Sequence, residues 1–495
     1  MGKLHKRGKG YSDEEIDEEE DELEEVTPDE EIDGDDEEDD DEEEDDDDEE
    51  DDDEEDEDDG DSEDVRRVNR RRRRVRNQII SYIVIFVIFA GIAVGAVAAG
   101  RKVASIVTQK RQEAELEKEL EEAAKQQEEE ELVIDTPEPI EEEPEEDFFG
   151  KMVLSYYSEM PIEDKVAALF MVTPEALTGV TTATQAGDGT QEALSQYAVG
   201  GLIYFGQNIQ DKEQIMKMLS NTVSMSGYPV FLAVDEEGGD VSRVANSNIE
   251  VTKVDDMASI GAGGDPSQAF EAGETIGAYL SEIGFNVDFA PVADVTQEGV
   301  ESALGNRSFG SDPQAVGEMV SNVVSGIEGT GVSACLKHFP GLGSASEDTH
   351  EGRVEIDKTI EELRAVDFVP FSIGIEAGAD FVMVSHATVP AIDEDIPGSL
   401  SKKVITDTLR GELGFEGVII TDALDMTAIT EYYTSEEAAV MAIEAGADML
   451  LMPEDFEKAY EAVLAAVQDG TISEERIDES LDRIYRVKCA GKLPE

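Results

Sequence analysis

From residue 151 onward the chain alternates short, continuous apolar runs with longer stretches in which apolar residues recur at helical spacing. The first four runs are ALFMV (168–172), GGLIYF (200–205), VFLAVD (230–235) and VDFAPVAD (287–294). Four more follow: SACLKHF (333–339), FVMVSH (381–386), GVIITDA (417–423) and DMLLMPE (448–454). Unbroken apolarity, rather than alternation with polar residues, suits parallel strands buried on both faces. The helical stretches between them include 265–283, 313–329, 359–378 and 402–413. Eight strand–helix units in one stretch predict an α/β fold, a (β/α)8 TIM-type barrel. A doubly wound open sheet is the alternative. No glycine-rich dinucleotide fingerprint follows the first strand, however, and VDEEGGD (234–240) is not one.

Upstream of that domain the pattern changes character. IISYIVIFVIFAGIAVGAVAAG (79–100) is 22 residues without a charge. At about 1.5 Å per residue it spans about 33 Å, enough to cross a bilayer core. It follows VRRVNRRRRRVR (65–76), which holds eight arginines. Such a run can mark nucleic-acid binding. Beside an apolar span it reads instead as the cytoplasmic flank, because Lys and Arg resist translocation. A cleavable signal would start the chain and have a shorter apolar core, so the span is expected to remain as an anchor.

Composition and charge refine this plan. The formal net charge is −83, and from Ser12 to Asp64 the chain is nearly pure Asp and Glu. That segment has too little apolar surface to offset its ordering entropy and is expected to be disordered. Residues 101–131 read as a charged helix with a thin stripe of Leu116, Leu120 and Ala124. DTPEPIEEEPEED (135–147) then makes an extended spacer. The domain plan is an acidic cytoplasmic tail (1–64), a basic juxtamembrane segment (65–78), a transmembrane helix (79–100), a helical and Pro/Glu-rich linker (101–150) and the barrel (151–495). It implies a lipid bilayer as partner through one helix and no nucleic acid. The oligomeric state stays open. Cys335 and Cys489 supply no disulfide framework, and Cys335 reads as a core residue.

Asp235, Asp294, His338, His386 and Asp422 each fall at or near the C-terminal end of an expected strand. In barrels that is the face where active sites are built. His350 follows the fifth strand on the loop KHFPGLGSASEDTHEG (337–352), rich in Gly and Ser and expected to move. Neither a metal nor a cofactor is expected, since no two histidines share a close ligand spacing on one strand. No serine sits in a GxSxG elbow either. Carboxylate chemistry remains. Asp422, in IITDALDM, would project into the barrel mouth and can attack a carbon bearing a leaving group. His350 is suited to protonate the departing oxygen, because a free imidazole gives and takes protons near neutrality, and Asp348 to orient its ring. His338 would grip substrate from the wall.

These residues resemble glycoside hydrolase family 3, in its β-N-acetylglucosaminidase branch. The matching motifs run in order: VDEEGGDVSRV (234–244), NVDFAPVADV (286–295), NRSFG (306–310), KHFPGLG (337–343), DTH (348–350), SHATVP (385–390) and ITDALDM (420–426). The likeness covers roughly 155–490. It implies hydrolysis of terminal β-GlcNAc with retention; joined to the anchor read at 79–100, the expectation is a bacterial, membrane-anchored enzyme acting on cell-wall-type or related glycans. Asp422 would be the nucleophile that carries the glycosyl group, and the Asp348–His350 dyad the acid/base. Asp235, Arg307, Lys337 and His338 would hold sugar hydroxyls. His386 and Met426 are further candidates for the sugar site. Met426 enters because the chain has no tryptophan, which leaves stacking to Tyr, Phe or Met.

Two positions depart from the family pattern. Leu342 stands where a histidine is usual, and Arg353-Val354 where Leu-Pro is usual. Both bear on how the loop closes over the sugar. Asp294 is expected to serve the barrel's internal network, pairing with Lys337, and Asp425 to start a helix. Two other readings stay open: a glycoside phosphorylase of the same family, and an inactive barrel that binds glycans at the surface.

Overall fold

The structure is a computed structural model that describes residues 148–490, apart from 298, 300, 301 and 348. The acidic tail, the arginine-rich segment, the apolar stretch 79–100 and the linker up to 147 lie outside the described residues, as does Asp348. Among the described residues no helix is long and apolar enough to cross a membrane.

Among the described residues ten strands form: β1 (Phe170–Val172), β2 (Gly201–Tyr204), β3 (Phe231–Val234), β4 (Glu236–Gly238), β5 (Val241–Ser242), β6 (Val287–Asp288), β7 (Ser333–Phe339), β8 (Phe381–Val384), β9 (Val418–Thr421) and β10 (Leu450–Leu451). Eight of them make one parallel sheet in the order β10-β1-β2-β3-β6-β7-β8-β9. An Ile420–Met449 bridge joins its two edges, so the sheet closes on itself as the expected barrel. Every residue of these eight strands is buried, which is why the apolar runs are continuous. Inside, Phe231 meets Phe381 edge-on at 5.1 Å, and outside, helices cover the strands. The helices Pro266–Ile283 and Pro313–Gly329 start as their sequences dictate. Asp265 and Asp312 cap them, and a proline follows at the first helical position, where no backbone donor is needed.

The structure differs from the periodicity at several places, among them the run 448–454, which keeps only Leu450–Leu451 as strand. The run 287–294 keeps only two strand residues, because Pro291 has no N–H for the ladder. The stretch 359–378 splits into Ile360–Ala365 and Phe368–Glu376. Pro370 cannot bond back to Val366, so the helix restarts there. The stretch 402–413 forms a π-type helix over Lys403–Glu412. One element has no counterpart in the apolar pattern, the β4–β5 hairpin directly after β3. Gly238 and Gly239, at φ 91° and 57°, make its turn against Asp255 and Asp256.

Candidate active site

The C-terminal ends of the strands surround a cavity of about 390 Å³. Its wall carries Asp235 and Glu237 from β3 and the hairpin, Arg307 from the segment after β6, and Lys337 and His338 from β7. Asp422 and Met426, which follow β9, face it from the other side, and His350 reaches it from the loop after β7. Asp235, Arg307, Lys337, His338, His350, Asp422 and Met426 thus share one cavity.

The wall is held by a charge network centred on Glu237. Lys337 Nζ lies 2.5 Å from Glu237 Oε1 and 2.8 Å from Asp235 Oδ1. Arg307 grips Glu237 with two hydrogen bonds, Nε at 2.7 Å and Nη2 at 2.8 Å. Burial would raise the Glu237 carboxyl, but Lys337 and Arg307 together pull it down to about 2. The same carboxylates hold the Lys337 ammonium above its ordinary value against the opposing effect of burial. Lys337 therefore pairs with Asp235 and Glu237, not with Asp294. Glu237 was not among the residues the motifs pointed to, although it stands two residues after Asp235, the spacing that keeps side chains on one face of an extended chain.

Asp294 does serve the internal network, through His338. The His338 Nδ1–H donates to Asp294 Oδ2 at 2.7 Å, and its Nε2 faces the Arg307 guanidinium at 3.3 Å, where it can only accept. Asp294 also accepts the backbone N–H groups of His338 and Leu342, at 3.1 and 2.5 Å. The Lys337–His338 peptide is cis, and the register against β8 shifts between Leu336 and Phe339. Both neighbouring side chains line the cavity, where strand alternation would send them to opposite faces.

Asp422 accepts the Ala423 N–H at 2.8 Å through Oδ1. Burial pushes its carboxyl up, but its surroundings, the Ala423 N–H donor among them, outweigh this and hold it below the usual carboxylate value. A nucleophilic carboxylate needs that state, with the proton off and an oxygen free. His386 is fully buried and does not line the cavity. Its Nε2–H donates to the Ala423 carbonyl and its Nδ1 accepts from Ser399, both at 2.7 Å. Burial lowers its pKa, which favours this uncharged form. His386 therefore braces the backbone next to Asp422 instead of reaching toward a sugar. Asp425 lines the cavity as well, and the short helix Thr427–Thr430 is capped by Met426 without a side-chain bond.

The loop with His350 is tethered along its length. Ala345 O accepts from Ala303 N at 3.1 Å, and Thr349 O accepts from Ala428 N at 3.3 Å. Val354 and Ile356 pair with Thr388 at 2.9 Å each. Leu342 adds an apolar face to the cavity, whereas Arg353 is exposed and Val354 buried. Arg243 is a further wall residue that the motifs did not single out. Its guanidinium lies 5.7 Å from the Phe205 ring and 3.7 Å from Asp235 Oδ2.

The same order of residues recurs in known proteins. The model of the glycosyl hydrolase family 3 N terminal domain matches residues 161–487. A β-hexosaminidase A of Pseudoalteromonas piscicida is 32% identical over 335 residues, which are 61% of this chain and 55% of that protein. This chain thus spans about half the length of that relative. A glycoside hydrolase family 3 β-N-acetylglucosaminidase from Paenibacillus sp. str. FPU-7 superposes with a TM-score of 0.63 at 35% identity, covering 68% of this chain and 64% of that one. A β-glucoside phosphorylase bound to 2FGlc does so with a TM-score of 0.62 at 25% identity, covering 70% and 61%. With the family model matching the barrel nearly from end to end, this chain belongs to glycoside hydrolase family 3.

Proposed function

We propose that the chain is a retaining exo-β-N-acetylglucosaminidase that acts on terminal β-GlcNAc of cell-wall-type or related glycans. The observation that carries this reading is the pairing of Asp422 and His350 across one cavity, opposite a wall of hydroxyl-binding groups. A carboxylate oxygen of Asp422 attacks the anomeric carbon as the bond to the aglycone oxygen breaks, and His350 gives that oxygen its proton. Water then attacks the same carbon and His350 takes its proton. The Asp422 ester breaks, and two inversions give net retention. Asp348, expected to orient His350, lies outside the described residues. Lys337, Arg307 and Asp235 bind ring hydroxyls through donors and acceptors whose mutual pairing has set their geometry in advance.

A 5-fluoro-N-acetylglucosaminyl fluoride tests the nucleophile, because it should leave a sugar on Asp422 in a peptide digest. No label on any residue would favour a rival in which the substrate's own acetamido group attacks, helped by a pair such as Asp235-Glu236. A site that pairs with the ring hydroxyls should also prefer β-GlcNAc to its epimer β-GalNAc by a wide margin. Equal rates would remove that role from Asp235 and Arg307.

The likeness to a β-glucoside phosphorylase favours a second reading, phosphorolysis. A histidine acid/base, unlike a carboxylate, does not repel incoming phosphate. Glu347, Asp425 and Asp422 line the same cavity as His350, however, and their charges disfavour an anion there, so hydrolysis comes first. Turnover with and without inorganic phosphate separates the two, and a barrel that only binds glycans would fail both assays. The proposal includes the anchor. External protease on sealed cells should release the barrel and leave the acidic tail protected, given the arginines before residue 77.

A further inference from the structure

The loop that carries His350 leaves the end of β7 and returns to the barrel wall at the helix Ile360–Ala365. Its two ends meet at one carboxylate. Asp367 is fully buried and accepts Lys358 Nζ on both oxygens, at 2.9 Å on Oδ1 and 2.7 Å on Oδ2. Gly341, where the loop begins, lies against the same side chain. A Cβ there would stand 2.8 Å from Asp367 Oδ1, too close to be tolerated. Asp294, whose charge reaches Asp367, holds the next residue through the Leu342 N–H. The loop is therefore pinched at its base, with Gly341 and Lys358 on Asp367, and its far part carries His350 to the cavity that holds Asp422.

This arrangement is expensive. Burial pushes the Asp367 carboxyl up to about 6 in spite of Lys358, so holding the charge here costs more than it would in water. A buried pair of this kind adds little stability over apolar residues of the same volume, and its best attested use is to fix one geometry among several. What it fixes here is the separation of the loop's ends. We propose that Lys358 and Asp367 form a positioning clasp that sets where His350 stands relative to the leaving oxygen. The clasp touches neither substrate nor Asp422. This inference rests on the reading of His350 as the proton donor.

The test compares two substrates on the full chain, a GlcNAc-terminated disaccharide and a nitrophenyl β-GlcNAc, whose leaving group departs without a proton. A general acid contributes about 10²–10⁴-fold, and chiefly on the poor leaving group. Lys358→Met and Asp367→Asn should each lose about tenfold or more on the disaccharide relative to the nitrophenyl substrate, part of what His350→Ala loses. Azide should recover part of the nitrophenyl turnover in all three. Lys358→Arg, which keeps the charge and can bond both oxygens, should restore the ratio. The double variant Lys358→Met/Asp367→Asn removes both charges together, so it remains testable if a single change prevents folding. Equal losses on both substrates, or a folded double variant with the unaltered ratio, would overturn the clasp. If His350→Ala itself fails to discriminate between the leaving groups, the acid/base reading falls and takes the clasp with it. Discrimination by His350→Ala without discrimination by the clasp variants sinks the clasp alone.

Discussion

Both ends of the barrel bury charge, and they use it differently. At the N-terminal end Asp448 is fully buried among Arg410, Arg476 and Arg483, and Ser480 donates to it at 2.8 Å. It also accepts the Ile419 N–H at 2.9 Å, at the start of β9. The arginines complete their own bonding on the scaffold. Arg410 donates to the carbonyls of Phe415 and Gly417, and Arg476 to that of Ala447. The arginine and Ser480 bonds tie the helix Glu474–Cys489 and the π-type helix to the segments that lead into β9 and β10. At the C-terminal end Glu237 likewise sits between two cations, but Lys337, Arg307 and Asp235 also line the cavity. Burial of charge alone does not mark a site. What marks it is a buried pair whose members keep donors and acceptors directed at open space.

Substitutions can break that contrast, the largest effect coming from the smallest perturbation of the fold. Asp422→Asn should lower kcat by about 10⁴-fold or more while the thermal midpoint stays nearly unchanged, because the amide can still accept the Ala423 N–H. A parallel loss of midpoint and activity would mean that Asp422 is scaffold. Asp448→Ala should do the reverse. It strands three half-buried arginines and should cost about 3 kcal/mol in urea unfolding, while kcat per folded molecule holds.

Acid sharpens the comparison at Glu237. Its carboxyl is depressed from 4.5 to about 2, so its contribution is complete above pH 4.5 and is lost as the pH falls toward 2. A shift of that size corresponds to about 3 kcal/mol. Unfolding free energies between pH 5 and pH 2 should fall less steeply in Glu237→Gln than in the parent chain. The mildest of these changes is His386→Ala, which leaves the Ala423 carbonyl and Ser399 unpaired. It should cost about 1–3 kcal/mol and lower kcat more than it raises KM, since it disturbs the backbone beside Asp422 and not the sugar wall. A change in KM alone would place His386 back among the sugar ligands.

Much of this architecture is legible in the order of residues along the chain. The eight runs map onto eight strands because parallel strands buried on both faces have no polar alternation to confuse the pattern. Asp235, His338 and Asp422, at the ends of three of them, gather into one cavity for the same topological reason. What the pattern does not carry is interaction between elements. Pro370 breaks a helix whose apolar spacing is uninterrupted, and the β4–β5 hairpin is too short and too charged to register as strands. Glu237 looks like one more acid in a chain full of them. His386 ends a strand as a ligand would, but its ring finds both partners on neighbouring backbone and Ser399. The Asp348 half of the dyad lies outside the described residues.

The pairing of Lys337 and Arg307 with Glu237 has a consequence for the medium in which such a site can operate. The chain carries a formal net charge of −83, and charge on an exposed surface responds strongly to dissolved ions. Lys337 and Glu237 are 3% and 2% exposed, so counterions cannot take the place of either partner. On the proposed function, a neutral sugar would meet a wall that is already compensated and be read by hydroxyl geometry, not by attraction to a net charge. Recognition is thereby insulated from ionic strength. KM for an uncharged β-GlcNAc glycoside should stay nearly flat from dilute buffer to strong brine, across conditions in which the acidic exterior passes from mutual repulsion to near indifference.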